Sequence, residues 1–307
     1  MPVCIISHPD CNKHVMGEFH PECPARLGAI SDQLIASGLD YVLRQFDATP
    51  IEKSLLSLAH EQSYIDFVFD NAPDDGCFAL DPDTSMNPYS LAAALLSAGA
   101  GIMAVDKVME GDFGAAFCAT RPPGHHAERN KAMGFCIFNN IAIAALYAKQ
   151  KYQLDRVAIL DFDVHHGNGT EEIMRDKEGV LFCSTFQHPF YPFSGTGNHP
   201  THIVNTPLPA NAGSTEFRNA VTENWLPALK EYKPQLILIS AGFDAHAEDD
   251  MSQVRLYEHD YRWVTDQIKL AADKYCSGKM VSMLEGGYAL GALGRSVVAH
   301  IKGLIGD

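Results

Sequence analysis

The chain has 307 residues, 46% hydrophobic and 20% charged, with 23 Lys+Arg against 38 Asp+Glu and a net charge of −15. This length and composition exclude intrinsic disorder and a small disulfide scaffold, and they suffice for a large core. With no Lys/Arg cluster, so acidic a chain repels phosphate, so no nucleic-acid partner is expected; cations such as lysine side chains or polyamines are favoured instead.

The opening MPVCIISHPD lacks a basic n-region and a long apolar run, so it is not a secretory signal. A first strand is predicted over 3–7. The Ala- and Gly-rich run 91–105 reads as a buried helix, shorter than the ~18 apolar residues of a membrane span, and no membrane partner is expected. Continuous apolar runs over 114–120 (GAAFCAT), 156–161 (RVAILD), 180–185 (VLFCST), 235–240 (QLILIS) and 279–284 (KMVSML) read as strands buried on both faces. Helices are predicted over 140–151, after two Asn that can cap it, over 215–230, with Phe217, Val221, Trp225 and Leu229 on one face, and over 261–276. Strands alternating with helices imply a single α/β domain, 1–307, with a mostly parallel sheet and helices on both faces. The eight cysteines are scattered with no CxxC pair, so reduced thiols and a cytoplasmic location are expected. A homo-oligomer is left open.

Nearly every predicted strand runs straight into a polar, Gly-rich or His-rich segment: RPPGHH, FDVHHGNG, AGFDAH and EGGY. Ligands of open α/β sheets bind beyond the carboxyl ends of the strands, so these segments converge on one edge.

Asp161, Asp163 and His165 alternate at one strand end, and extended backbone would point all three to one face. Asp244 follows another strand. Two carboxylates and an imidazole suit a single divalent metal with an open position for water and substrate; zinc fits, and iron(II) is also compatible. His125 and His126 are adjacent in a Pro-Gly turn. One can be a general base while the other carries charge, each oriented through its second nitrogen, with Asp161 and Asn168 as candidate partners. Tyr288, after Gly286 and Gly287, can donate to a developing oxyanion. Together these parts make a metal-assisted hydrolase, in which metal and His activate water, metal and Tyr polarise a carbonyl, and His protonates the leaving amine.

RPPGHHA (121–127), GFCIFNN (134–140), DFDVHHGNGT (161–170), SAGFDAH (240–246) and EGGY (285–288) together resemble the histone deacetylase and acetylpolyamine amidohydrolase family, nearest its class II-like, bacterial-type members. The resemblance implies a single-domain arginase/deacetylase-like fold with a central eight-stranded, mostly parallel sheet. By motif it implies Asp163, His165 and Asp244 as ligands of one catalytic Zn2+. It implies His126 as general base and acid, His125 as its electrostatic partner oriented by Asp161, and Tyr288 as oxyanion donor. Phe135 and Tyr191 would wall an acyl-lysine tunnel lined by Gly134. Asp83 would be the acid at its rim, and Gly287 and Met251 further substrate contacts. Arg26 would lie by a buried exit channel. A monovalent cation, K+ or Na+, would sit near Asp161, Asp163, His165 and Ser184.

The sequence departs from the commoner pattern in three places. Asn168 stands where class I members have Asp, and Tyr191 where Phe is usual. Met251 stands where polyamine-selective relatives carry a gatekeeping Glu. The substrate implied is an acyl-lysine peptide or protein, or a smaller acylated amine. A small-molecule amidohydrolase and a non-catalytic acyl-lysine reader are the alternatives, and a dimanganese ureohydrolase would need more bridging carboxylates. Cys11, His14, His20 and Cys23 have CxxH…HxxC spacing, which would suit a second, structural zinc; a loop ahead of the first helix is the plainer reading.

Overall fold

Apolar runs bounded by turn residues become strands, and the intervening stretches become helices, in a computed structural model that describes residues 2–306. In chain order the elements are β1 (Val3–Ser7), α1 (Ala25–Ala36), β2 (Arg44–Asp47), α2 (Gln62–Asp70), β3 (Phe78–Asp81), β4 (Thr84–Met86), α3 (Ser90–Met109), β5 (Ala115–Cys118), α4 (Asn140–Tyr152) and β6 (Val157–Asp161). There follow α5 (Asn168–Met174), β7 (Val180–Gln187), β8 (Ile203–Leu208), α6 (Ser214–Ala220), α7 (Leu226–Tyr232), β9 (Leu236–Ala241), α8 (Glu258–Tyr275), β10 (Met280–Leu284) and α9 (Leu290–Ile305).

Eight strands form one sheet in the order β2-β1-β5-β10-β9-β6-β7-β8, and every pairing in it is parallel. Helices α3 and α4 pack together on one face, and α1, α8 and α9 on the other. The central strands are buried throughout, which is why they read as continuous apolar runs. Their register brings the carboxyl ends level: Met283 is opposite Cys118, Leu284 opposite Ala241, and Asp161 opposite both Ser240 and Ser184. The segments after β5, β6, β9 and β10 therefore leave one edge side by side. The expected 1–307 unit extends at each end by one residue that lies outside the described residues.

The edge strands were not anticipated. RQFD in β2 is mostly exposed, and β8 contains Pro207, a residue that edge strands tolerate because it has no N–H to donate. The buried helix expected over 91–105 is α3, and it is longer than expected. At 20 residues it is long and apolar enough to cross a membrane, yet it lies in the core against α4, β5 and β10. The helix expected over 215–230 is interrupted by a π turn at Val221–Trp225 before α7; Pro227 cannot donate back into the preceding turn, so the ladder widens there. Asn139 does cap α4, its side chain accepting from Ala142 N at 3.0 Å. Helix α9 escaped prediction because it carries glycines. Gly294 is required where α9 crosses α1, since a Cβ there would lie 2.5 Å from the Ala29 carbonyl oxygen.

Candidate active site

Beyond β6 the chain does not stay extended, as the alternation of Asp161, Asp163 and His165 had implied. Asp163 N donates to Asp161 Oδ1 at 3.1 Å and His165 N to Asp163 Oδ1 at 2.8 Å, so each carboxylate folds the next residues into a tight turn. Asp161 is thereby turned to His125, while Asp163 and His165 meet Asp244 from the end of β9. Nδ1 of His165 lies 3.1 Å from both Asp163 Oδ1 and Asp244 Oδ2. One donor atom from each of the three buried residues falls within 4.8 Å of the others.

This donor set fits a divalent cation. Against the burial that opposes it, the two carboxylates raise the His165 imidazole to about 10, so the cluster calls for positive charge between its oxygens. The backbone completes the cradle. Gly286 N donates to Asp163 Oδ2 at 2.8 Å. A Cβ on Gly286 would lie 2.1 Å from Asp244 Oδ2, and one on Gly242 would lie 2.0 Å from Asp163 Oδ2. Only glycine lets the two strand ends close this tightly on the carboxylates.

The two histidines differ by environment. His125 Nδ1 is 2.9 Å from Asp161 Oδ2, and its Nε2 faces Asp163 Oδ1 at 3.8 Å. Burial opposes its charge, but Asp161, Asp163 and Glu285 hold its pKa well above the ordinary value. His126 Nδ1 is 2.7 Å from Asn168 Oδ1. Burial first, then the neighbouring His125 and His165, push its pKa well below the ordinary value. The two imidazoles are thus pushed in opposite directions, with ring centroids 4.0 Å apart. Such a split is how paired groups divide acid and base roles.

These groups open into a pocket of about 240 Å3 lined by Asp83, His126, Gly134, Phe135, His165, Phe190, Tyr191, Met251 and Tyr288. Phe135 meets Tyr288 edge-on at 5.9 Å, Tyr191 meets His126 edge-on at 5.4 Å, and Phe190 stacks on His165 at 5.7 Å. Gly134 and Phe135 both have left-handed backbone (φ 55° and 68°). Asp83 Oδ1 accepts from Gly134 N at 3.0 Å, and Thr84 Oγ1 accepts from Phe135 N at 3.0 Å. The rim acid therefore also shapes the wall.

Most of the expected site residues meet here, and two sit behind the pocket. Gly287 does not line it; its carbonyl accepts from Arg26 Nε at 2.7 Å. Arg26 is fully buried, bonded to Glu22 and to the Glu285 carbonyl, with its guanidinium 5.0 Å from the Tyr288 ring centroid. It braces the Tyr288 turn. The Cys11, His14, His20, Cys23 set does not converge. His14 Nδ1 pairs with Ser90 Oγ at 2.7 Å and the Cys11 carbonyl accepts from Arg121; among the described residues, Asp163, His165 and Asp244 are the only metal-donor group found.

Several supporting residues were missed. Glu285 accepts from Gly124 N, His125 N and Ser240 Oγ. Asp249 accepts from Tyr288 N at 2.6 Å and Ala289 N at 2.9 Å. Glu22 pairs with Arg26 and Arg121, and Phe190 completes the wall. Acidic residues beside the motifs were the one available signal, and it does not tell a buried anchor from a solvated charge.

Comparison with known proteins agrees with this geometry. The histone deacetylase domain pattern matches residues 20–304. Type-2 histone deacetylase 2 of Dictyostelium discoideum is 35% identical across 98% of this chain, which spans only 21% of that protein. The histone deacetylase-like amidohydrolase of Pseudomonas aeruginosa is 35% identical, with 93% of this chain and 77% of that protein covered. The mouse polyamine deacetylase HDAC10 is also 35% identical, over 94% of this chain and 46% of its own length. The crystal structure of the HDA15 HD domain superposes with a TM-score of 0.94 at 33% identity, covering 100% of this chain and 88% of that one. This chain belongs to the histone deacetylase family, a family of hydrolytic deacetylases.

Proposed function

We propose that the chain is a zinc-dependent deacylase that hydrolyses the amide of an acyl-lysine side chain, or of a similar N-acyl amine, to a carboxylate and a free amine. One observation carries this reading: a divalent donor trio, a neutral imidazole backed by an amide, and a tyrosine share one narrow aromatic pocket.

Asp163, His165 and Asp244 would hold the ion, which supplies Lewis acidity toward the acyl carbonyl and water. His126 receives the proton of the attacking water at Nε2 and returns it to the departing amine. His125, charged and fixed by Asp161, adds a positive field beside it. The Tyr288 hydroxyl, kept protonated by burial and by Asp244, donates to the developing oxyanion. Phe135 and Tyr191 enclose an aliphatic stem and exclude water. Ser184 Oγ, buried without a hydrogen-bond partner among the described residues, supports the monovalent cation expected beside Asp161. Eight unpaired thiols support a reducing compartment, with the cytoplasm as the proposed setting.

A small acylated amine is the second reading. Exposed Asp250 lines a cleft next to Met251, and its negative charge favours a polycation, although Glu248 beside it is paired with Arg295. The test is amine release from an acetyl-lysine peptide and an N-acetylated polyamine, by zinc-loaded and by metal-stripped protein. Zinc-dependent preference for the peptide supports the lysine reading; preference for the polyamine replaces it with the second. Turnover of neither leaves only some other acyl group for this chemistry and favours the non-catalytic reader.

A further inference from the structure

We infer that Glu128 is a positioning residue for catalysis: it sets the polarity of the Asn168 amide and so the tautomer of His126. The inference rests on the proposed role of His126 as base.

Asn168 Nδ2 lies 2.7 Å from Glu128 Oε1 and 3.2 Å from Met133 Sδ. A carboxylate and a thioether only accept, so both partners demand the NH2 end of the amide. The carbonyl end is then left for His126 Nδ1 at 2.7 Å. An oxygen there requires that Nδ1 carry the hydrogen, which leaves Nε2 with its lone pair free toward the pocket. Without Glu128 the amide can turn over. Its NH2 would then face Nδ1, the hydrogen would move to Nε2, and the base would be blocked.

Glu128 is itself held in place. Its N–H donates to the Lys131 carbonyl at 2.9 Å, and its carbonyl accepts from His60 Nδ1 at 2.9 Å. His60 Nε2 accepts from Asn139 N at 2.8 Å, so the His60 hydrogen must be on Nδ1. Burial pushes His60 down to about 4, so it stays neutral at working pH. Arg129, the next residue, bonds Glu172 on α5, the helix that Asn168 begins. The turn and the helix are thus locked to each other on both sides of the Asn168–Glu128 contact.

The experiment uses Glu128→Ala, Glu128→Gln and Asn168→Asp, singly and with Glu128→Ala placed in the Asn168→Asp background. Glu128→Ala should lower kcat on the order of tenfold to a hundredfold with KM nearly unchanged. Glu128→Gln keeps an acceptor oxygen and should recover most of the loss. The decisive arm is the double variant. A carboxylate at 168 accepts from Nδ1 however it is turned, so Glu128→Ala should cause no further loss there. Equal fractional losses in both backgrounds would mean that Glu128 merely supports the fold, and would overturn the inference. Nitrogen NMR of 15N-histidine-labelled protein, with the His126 signal assigned by substitution, reads the tautomer without substrate. Nδ1–H should dominate in the parent protein and lose ground in Glu128→Ala; an unchanged tautomer overturns the inference. If the parent protein hydrolysed no acyl amine, the deacylase reading would fall, while the tautomer measurement would still decide the part played by Glu128.

Discussion

The Tyr191 hydroxyl donates to Asp83 Oδ2 at 3.1 Å across the mouth of the pocket. The other oxygen of Asp83 already accepts from Gly134 N and Thr84 Oγ1, so this carboxylate is largely satisfied from within the chain before any substrate arrives. Tyr191→Phe frees one oxygen for a peptide N–H. The KM for an acetyl-lysine peptide should fall by about three- to tenfold, the worth of one net hydrogen bond, with kcat little changed. An N-acetylated simple alkylamine has neither a peptide N–H nor an ammonium group to offer and should show no such gain. Steady-state kinetics on the two substrates checks both halves.

Gly286→Ala and Gly242→Ala each place a methyl group against a carboxylate of the donor trio, at the 2.1 Å and 2.0 Å approaches described above. Neither carboxylate can retreat from its buried position, so the trio must open. Each variant should lose stoichiometric zinc, measured by elemental analysis after equilibration, and should lose about 1–3 kcal/mol of stability. Retention of one tight zinc per chain would show that the trio does not need this closure.

Tyr288→Phe removes the hydroxyl but keeps the ring against Phe135 and the Arg26 guanidinium. Turnover should fall by roughly a hundred- to a thousandfold, the usual loss for one oxyanion donor. Binding of a non-hydrolysable acyl-lysine mimic should persist. Unchanged turnover would show that Tyr288 is not the oxyanion donor, whereas a non-catalytic reader would turn over in neither protein and keep its affinity in both.

His14, His60 and His300 are buried and held down by desolvation, to about 4, about 4 and about 3. Each takes up a proton on unfolding below about pH 6.5, so the unfolded chain binds more protons than the folded one. Their contribution to stability is complete above pH 6.5 and is lost as pH falls toward 4. Each group contributes up to about 1.4 kcal/mol per pH unit in that window. Denaturant unfolding between pH 7 and pH 4.5 should show this decline, and His300→Gln should make it shallower. His300 suits the test because it lies far back in the core, between Thr265 and Ser282.

The sequence made legible what local chemistry sets. Each central strand announced itself by an apolar run, and each reactive side chain stood just past such a run. That Asp161 and Asn168 would each back one imidazole followed from the need of each ring for a partner, while the resemblance assigned Asp161 to His125. What escaped notice depends on contacts between distant segments. Glu285 is an anchor because Gly124, 161 residues earlier, points an N–H at it. Gly242 and Gly286 matter because of what lies against them, and nothing in GFDAH or EGGY alone says so. The turns after Asp161 overrode the strand period because a side-chain oxygen two residues back captured the backbone N–H. Strands β2 and β8 were lost because edge strands carry little apolar signal.

The place of β10 in the sheet has a consequence for the time course of synthesis. The last strand of the chain is inserted between β5 and β9. Without it, the strands fall into two ladders that share no backbone pairing. One, β2-β1-β5, carries His125 and His126 at its edge; the other, β9-β6-β7-β8, carries Asp163, His165 and Asp244. Tyr288 is absent from both. The final strand joins the two ladders and delivers, in the same event, Tyr288 and the Gly286 N–H that donates to Asp163. The site is therefore completed last: neither Tyr288 nor the Gly286 N–H that closes the Asp163 cradle exists until nearly the whole protein has been made.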